Sequence, residues 1–288
     1  MTMGEPWPSG GQDWQPTGIP GEALVELDVF PPEQHQRWTV LLRLLLAIPQ
    51  LIVMWFLGFA AFVVVVCGWF GALFTGRLPQ WCGEFLRGYF SYSARVYGYL
   101  MLVVDEYPPF AWNPPNYPVR VLFPPPTELN RLAVLFRLIL AFPILVFTSW
   151  LVSGWAMLAF VFWLIVLITG RMPRSVFEAT TAIMRTELRT QAYTYLLTPA
   201  YLKGVFGDQT GVPVDPATAQ WGQPVRQWGQ PAPQSPTRPL LLSRGGQVLL
   251  IVMLILGILA SMLQTVTGDD GDIDDFSLAR TTSQILTP

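Results

Sequence analysis

Two tracts of this chain, residues 38–74 and 132–168, each contain one charged side chain, Arg43 and Arg137. A tract of about 37 residues would make a single helix about 56 Å long at 1.5 Å per residue. The hydrocarbon core of a bilayer is about 30 Å thick, and helix tilts average about 20°. Apolar residues gathered this way point to a bilayer rather than a soluble core, and any fold must first accommodate these two segments.

The tracts are copies. A shift of 94 residues lays Arg37, Arg43, Ala47 and Pro49 on Arg131, Arg137, Ala141 and Pro143. It lays FTGRLP (74–79) on ITGRMP (168–173), and Glu84, Arg95 and Tyr99 on Glu178, Arg189 and Tyr193. Repetition at a fixed period defines the organisation. An arm (1–24) leads to membrane repeat 1 (25–110), a Pro/Asn-rich joint (111–118) and membrane repeat 2 (119–202). A Pro/Gln/Gly linker (203–244) follows, disordered on composition. Then come an apolar C-terminal transmembrane segment (245–267) and an acidic tail (268–288).

Each repeat opens with a short alternating segment, VELDVF (25–30) or VRVLF (119–123), closed by prolines. Alternation predicts strand, and proline ends it. Glu26 and Asp28 opposite Arg120 predict a two-stranded ribbon with complementary charge.

Two arrangements fit the long tracts. In one, an interfacial segment turns at Pro49 and the remainder spans. In the other, the tract folds back near Leu57 and Gly58, or near Val152 and Gly154, as a transmembrane helical hairpin. Arginine placement favours the hairpin, because Arg37, Arg77, Arg131 and Arg171 then fall on one side. The segment after each TGRxP turn is more polar. The second copy, VFEATTAIMRTELRTQAYTYLL, carries Glu178, Arg185, Glu187 and Arg189 and predicts an amphipathic interfacial helix. The expected class is an all-α integral membrane protein with two tandem repeats, each a hairpin plus an interfacial helix, then one C-terminal transmembrane helix.

Charged residues make up 12% of the chain and the net charge is −2. That is about half the usual charged fraction. It supplies no basic field for nucleic acid, which is not an expected partner. Cys67 and Cys82 do not form a disulfide framework or zinc site, and His35, alone between Gln34 and Gln36, reads as solvated. The arm contains no apolar signal-peptide core. No catalytic constellation occurs, so neither an enzyme nor a cofactor is expected.

The repeated charges are the candidate site residues: Arg37, Arg43, Arg77, Glu84 and Arg95, with Arg131, Arg137, Arg171, Glu178 and Arg189. Charges at membrane depth need partners, so Arg43 is expected to pair with Glu84, and Arg137 with Glu178. Anionic headgroup binding by Arg37, Arg43, Arg77 and Arg95 is the functional alternative. Arg238 and Arg244 before the last span, and Asp269 to Asp275 after it, place the N-terminus in the cytoplasm and the acidic tail outside.

The segments YPVRVLFPPP (117–126), RLLLAIP (43–49), FTGRLP (74–79) and SARVYGYLMLVVDEYPPF (93–110) resemble the membrane family called domain of unknown function 4389, in two tandem copies. Copy two departs from the pattern, ending in TPAYL where copy one has DEYPPF. The resemblance implies a bacterial inner-membrane protein and carries no activity. The resulting expectation is a scaffold or accessory subunit of a membrane complex, in contact with lipids and a membrane-protein partner. The alternative is a small transporter or channel subunit with a path between the repeats.

Overall fold

The computed structural model describes residues 24–112, 114, 116–202, 204–207, 237 and 240–285, with side chains through Thr265. The expected arm, most of the linker and the side chains of the acidic tail lie outside the described residues. The element order is β1 (Glu26–Val29), α1 (Arg37–Thr75), α2 (Gln80–Leu100), β2 (Val119–Leu122), α3 (Arg131–Leu135), α4 (Arg137–Thr169), α5 (Arg174–Thr194) and α6 (Arg244–Ile285). Three helices, α1, α4 and α6 through Thr265, are long and apolar enough to cross a membrane.

The expected fold-back does not occur. Residues Arg37–Thr75 form one helix of 39 residues, about 58 Å long. The second tract is interrupted only at Phe136, ahead of the 33-residue α4. A continuous helix satisfies its backbone groups internally, whereas a turn at Gly58 would open them in apolar surroundings. Pro49 and Pro143 sit inside α1 and α4 and remove one ladder bond each.

The chain reverses at the TGRxP turn instead. Gly76 and Gly170 end α1 and α4 at φ 75° and 70°, a left-handed conformation that glycine adopts without a Cβ penalty. Pro79 and Pro173 then stand at the N-caps of α2 and α5. Each long helix thereby acquires an antiparallel partner. Arg43 reaches the Tyr99 carbonyl, Gln50 meets Tyr92, and a methyl built on Gly68 would lie 3.6 Å from Cys82 Sγ.

The repeats meet about a pseudo-two-fold axis. β1 and β2 pair antiparallel with Leu27 opposite Val121, the equivalent positions of the two copies. Asp28 faces Arg120 as the charges predict. The His35 N–H donates to Gly170 O at 2.8 Å, and the equivalent Leu129 N–H donates to Gly76 O at 2.9 Å. The start of α1 therefore meets the end of α4, the end of α1 meets the start of α3, and the two long rods run antiparallel. Thr237 caps the β1 edge, accepting from Val29 N–H and donating to Leu27 O.

The last span belongs to the second repeat. A Cβ on Gly154 would lie 1.7 Å from Met253 O, and one on Gly257 would lie 1.8 Å from Trp150 O. Only glycine permits such backbone contact, as in small-residue crossings of membrane helices. These contacts run α6 antiparallel to α4. The position equivalent to Gly154 in the first repeat is Ala60, so that face cannot take α6 in the same way. The α6 helix also continues through the acidic residues to Ile285.

The predicted interfacial helix is buried. Sixteen of the 21 residues of α5 are buried, including Glu178, Arg185 and Arg189. It packs among α4, α6, α2 and β1. Its polarity is absorbed internally: Thr186 and Thr194 hydroxyls donate to carbonyls one turn back, and Thr180 accepts from Trp155 Nε1.

Candidate functional site

The two arginines that punctuate the apolar tracts are the largest buried charges of α1 and α4. Both point inward onto the returning helix. Arg43, 2% exposed, donates to Tyr99 O at 2.7 Å and to Asp105 Oδ1 at 2.9 Å, with its guanidinium 4.4 Å from the Tyr99 ring. Arg137, 3% exposed, donates to Tyr193 O at 2.7 Å and to Thr198 O, and lies 3.8 Å over the Tyr193 ring. The repeat thus conserves the latch geometry between its own copies while changing the counter-charge. Pro199 occupies the position of Asp105, so Arg137 is held by carbonyls and an aromatic face. Such contacts stabilise a buried guanidinium without an acid.

The expected pairs with Glu84 and Glu178 do not form. Glu84 is exposed and accepts from Gln80. Glu178, fully buried, accepts from Arg174 Nε at 2.8 Å and from the backbone and hydroxyl of Ser243. Ser243 Oγ accepts in turn from Gly246 N–H. Glu178 therefore fastens the start of α6 to α5, because α1 and α4 present Arg43 and Arg137 at the far end of each returning helix from these acids.

His35 is not solvated. Its side chain is 2% exposed, and Nδ1 lies 3.4 Å from Asp105 Oδ1. Asp105 also accepts from Gln36 N–H at 3.1 Å and Thr39 Oγ1 at 3.1 Å, closing the first turn of α1. Burial alone would raise the Asp105 pKa. The close approach of His35 and the bonds from Gln36 and Thr39 outweigh it and hold the carboxyl below its ordinary value. No local pattern marks this cluster, since Asp105 lies 70 positions from His35.

The remaining candidates divide by position. Arg95 donates to Ala111 O at 2.6 Å. Arg189 donates to Val25 O at 2.9 Å and pairs with Glu26 at 3.0 Å, tying α5 to β1. Arg37, Arg77, Arg131 and Arg171 are exposed at the ends of the rods. Arg77 pairs with Glu128. At the opposite end, a methyl built on Gly170 would lie 3.9 Å from Arg37 Nε.

A small recess of mixed lining, more apolar than polar, lies between α2 and α5, on the pseudo-two-fold axis. Its volume is about 20 Å³, room for a water molecule. Ser93, Tyr97, Glu187 and Gln191 line it over Leu27. Glu187 accepts from Gln191 Nε2 at 3.0 Å. Among the described residues, no group of His, Cys, Asp and Glu has the arrangement of a metal site.

A family model described as Domain of unknown function (DUF4389) matches residues 37–111 and 131–201, one segment in each repeat. No curated protein and no solved structure matches the chain.

Proposed function

Since the chain belongs to this family of unknown function, its role has to be read from its own geometry, and we propose a non-enzymatic, multi-pass membrane scaffold or accessory subunit. The observation that carries this reading is the opposite fate of polar and apolar side chains on one helix. Arg43 and Gln50 of α1 turn inward to Tyr99, Asp105, Tyr92 and Pro108. Trp38, Leu44, Trp55, Phe59 and Phe74 face outward along its length. The inward polar groups hold the protein together, and the outward wall suits lipid and the helices of a membrane partner.

Arginine placement supports an orientation. Arg37, Arg171, Arg174 and Arg244 gather at the end where α1, α5 and α6 begin and α4 stops. Arg77 and Arg131 stand at the other end. The positive-inside bias puts the first end in the cytoplasm and directs the acidic end of α6 outward. Single cysteines replacing Arg37 and Arg77, in a chain with Cys67 and Cys82 changed to serine, test this. Impermeant labelling of intact cells is expected at position 77 and not at 37; equal labelling defeats the orientation.

A transporter subunit is the second reading, favoured by the antiparallel repeats and the recess on their axis. Proton flux in proteoliposomes, read with an entrapped pH dye and abolished by Glu187→Gln, would select it over the scaffold. Absence of flux with stoichiometric co-purification of a membrane protein selects the scaffold.

A further inference from the structure

The two ends of the molecule are built on the same plan, and they differ in how their exposed arginines are neutralised. At the end formed by the Gly76 turn, Arg77 pairs with Glu128. The position equivalent to Glu128 in the first repeat is Gln34. The guanidinium of Arg171 therefore lacks that carboxylate. The turn beneath it is fixed all the same. Thr169 Oγ1 accepts from Arg171 N–H at 3.2 Å and lies 2.7 Å from Ile165 O, while Gly170 O receives the His35 N–H. Arg37 lies across the same turn, its Nε close enough to contact a methyl built on Gly170.

The acids at this end are Glu33, Asp105, Glu106 and Glu178. Asp105 is engaged by Arg43, and Glu178 by Arg174 and Ser243. Arg244 is exposed immediately after Ser243, which sits against Glu178. Among the described residues, neither Arg37 nor Arg171 makes an ion pair. Two guanidiniums from different repeats thus flank one rigid turn at the rim of an apolar wall.

We propose that Arg37 and Arg171 form a phosphate-binding site for an anionic lipid headgroup, at the end where α1 begins and α4 stops. Guanidinium groups bind phosphate through paired, charge-assisted hydrogen bonds. The acyl chains of the same lipid would lie along the exposed residues beside the turn, including Trp38, Leu41 and Ile168. That continuity of a cationic rim with an apolar wall favours a lipid over a free anion. The inference rests on the lipid-facing reading of the long helices, and it reassigns the headgroup role. Arg43 and Arg95, candidates on sequence, are buried and bonded to the chain.

Native mass spectrometry of the full chain, released from mixed phosphatidylglycerol and phosphatidylcholine nanodiscs, tests the site. The wild type is expected to retain phosphatidylglycerol over phosphatidylcholine. Arg37→Gln with Arg171→Gln should lower that preference about tenfold, and Arg77→Gln with Arg131→Gln should leave it intact. Equal retention in the first double variant, or equal loss in the second, overturns the assignment. Displacement of the lipid by millimolar inorganic phosphate would also overturn it, showing a free-anion site. Circular dichroism melting of each variant separates loss of lipid from loss of fold. Retention is read without reference to orientation or flux, so failure here is distinct from failure of the scaffold reading.

Discussion

Trp163 donates its indole Nε1–H to the carbonyl of Val40 at 2.8 Å, across the junction between the two repeats. The equivalent Trp69 donates to Val134 O at 2.9 Å, in the reverse sense. Val40 packs with Leu102 and Val166, and Val134 packs with Ala72, Leu129 and Leu196. Leu102 and Leu196 adopt φ 64° and 66°, unusual for leucine. Each is buried in the small apolar cluster at its junction, which holds the conformation in place.

Trp69→Phe and Trp163→Phe should each lower stability by about 1 kcal/mol, the net value of a partly buried hydrogen bond. The two sites share no partner, so the double variant should lose close to the sum. Thermal melts of the detergent-solubilised protein check both the size and the additivity.

Asp105→Asn should cost about 2 kcal/mol, because it removes the counter-charge of the buried Arg43 guanidinium. The sign with pH follows from the depressed carboxyl. Its contribution is complete above the ordinary value of 3.8 and is lost as pH falls through the lower folded value. The wild type should therefore begin to lose stability on acidification below 3.8, and the variant should lose less over the same window. Melting curves in nanodiscs from pH 7 down to pH 3 measure the difference.

Gly154→Leu should detach α6 from α4, since even a methyl there would strike the Met253 carbonyl. Cysteines replacing Ser175 and Gly245 report on it. A Cβ built on Gly245 lies 3.3 Å from Ser175 Cβ, near disulfide geometry. With Cys67 and Cys82 removed, the pair should crosslink in membranes, and Gly154→Leu should suppress the crosslink. Ala60→Leu should not.

Glu178→Ala should destabilise the protein by about 3 kcal/mol through loss of three accepted bonds at a fully buried position. Glu84→Ala, its copy in the first repeat, is exposed and should change stability by less than about 0.5 kcal/mol. Paired denaturation curves make the comparison.

The period, the strand pairing of Asp28 with Arg120 and the three long apolar segments were legible in the sequence. The path of the long tracts was not. Gly58 and Gly154 look like turn residues in one dimension; Gly154 instead admits the backbone of α6, a contact more than ninety residues away. The burial of α5 was hidden for a similar reason. Glu178, Arg185 and Arg189 find partners in Ser243, Gly204, Val25 and Glu26, all outside the helix, so a local pattern mimics an interfacial helix. Arg43 and Arg137 do not meet Glu84 and Glu178, because helix length fixes which residues face each other.

The reciprocal junctions have a consequence for biogenesis. When synthesis has passed the first repeat, the Gly76 carbonyl and the Trp69 indole still await Leu129 and Val134. Equally, the second repeat cannot complete its own C-terminal turn without His35 and Val40. Each half therefore completes its junction bonds only when the other is present. Two separately translated halves, each with its own strand, would carry the information to find one another in the bilayer.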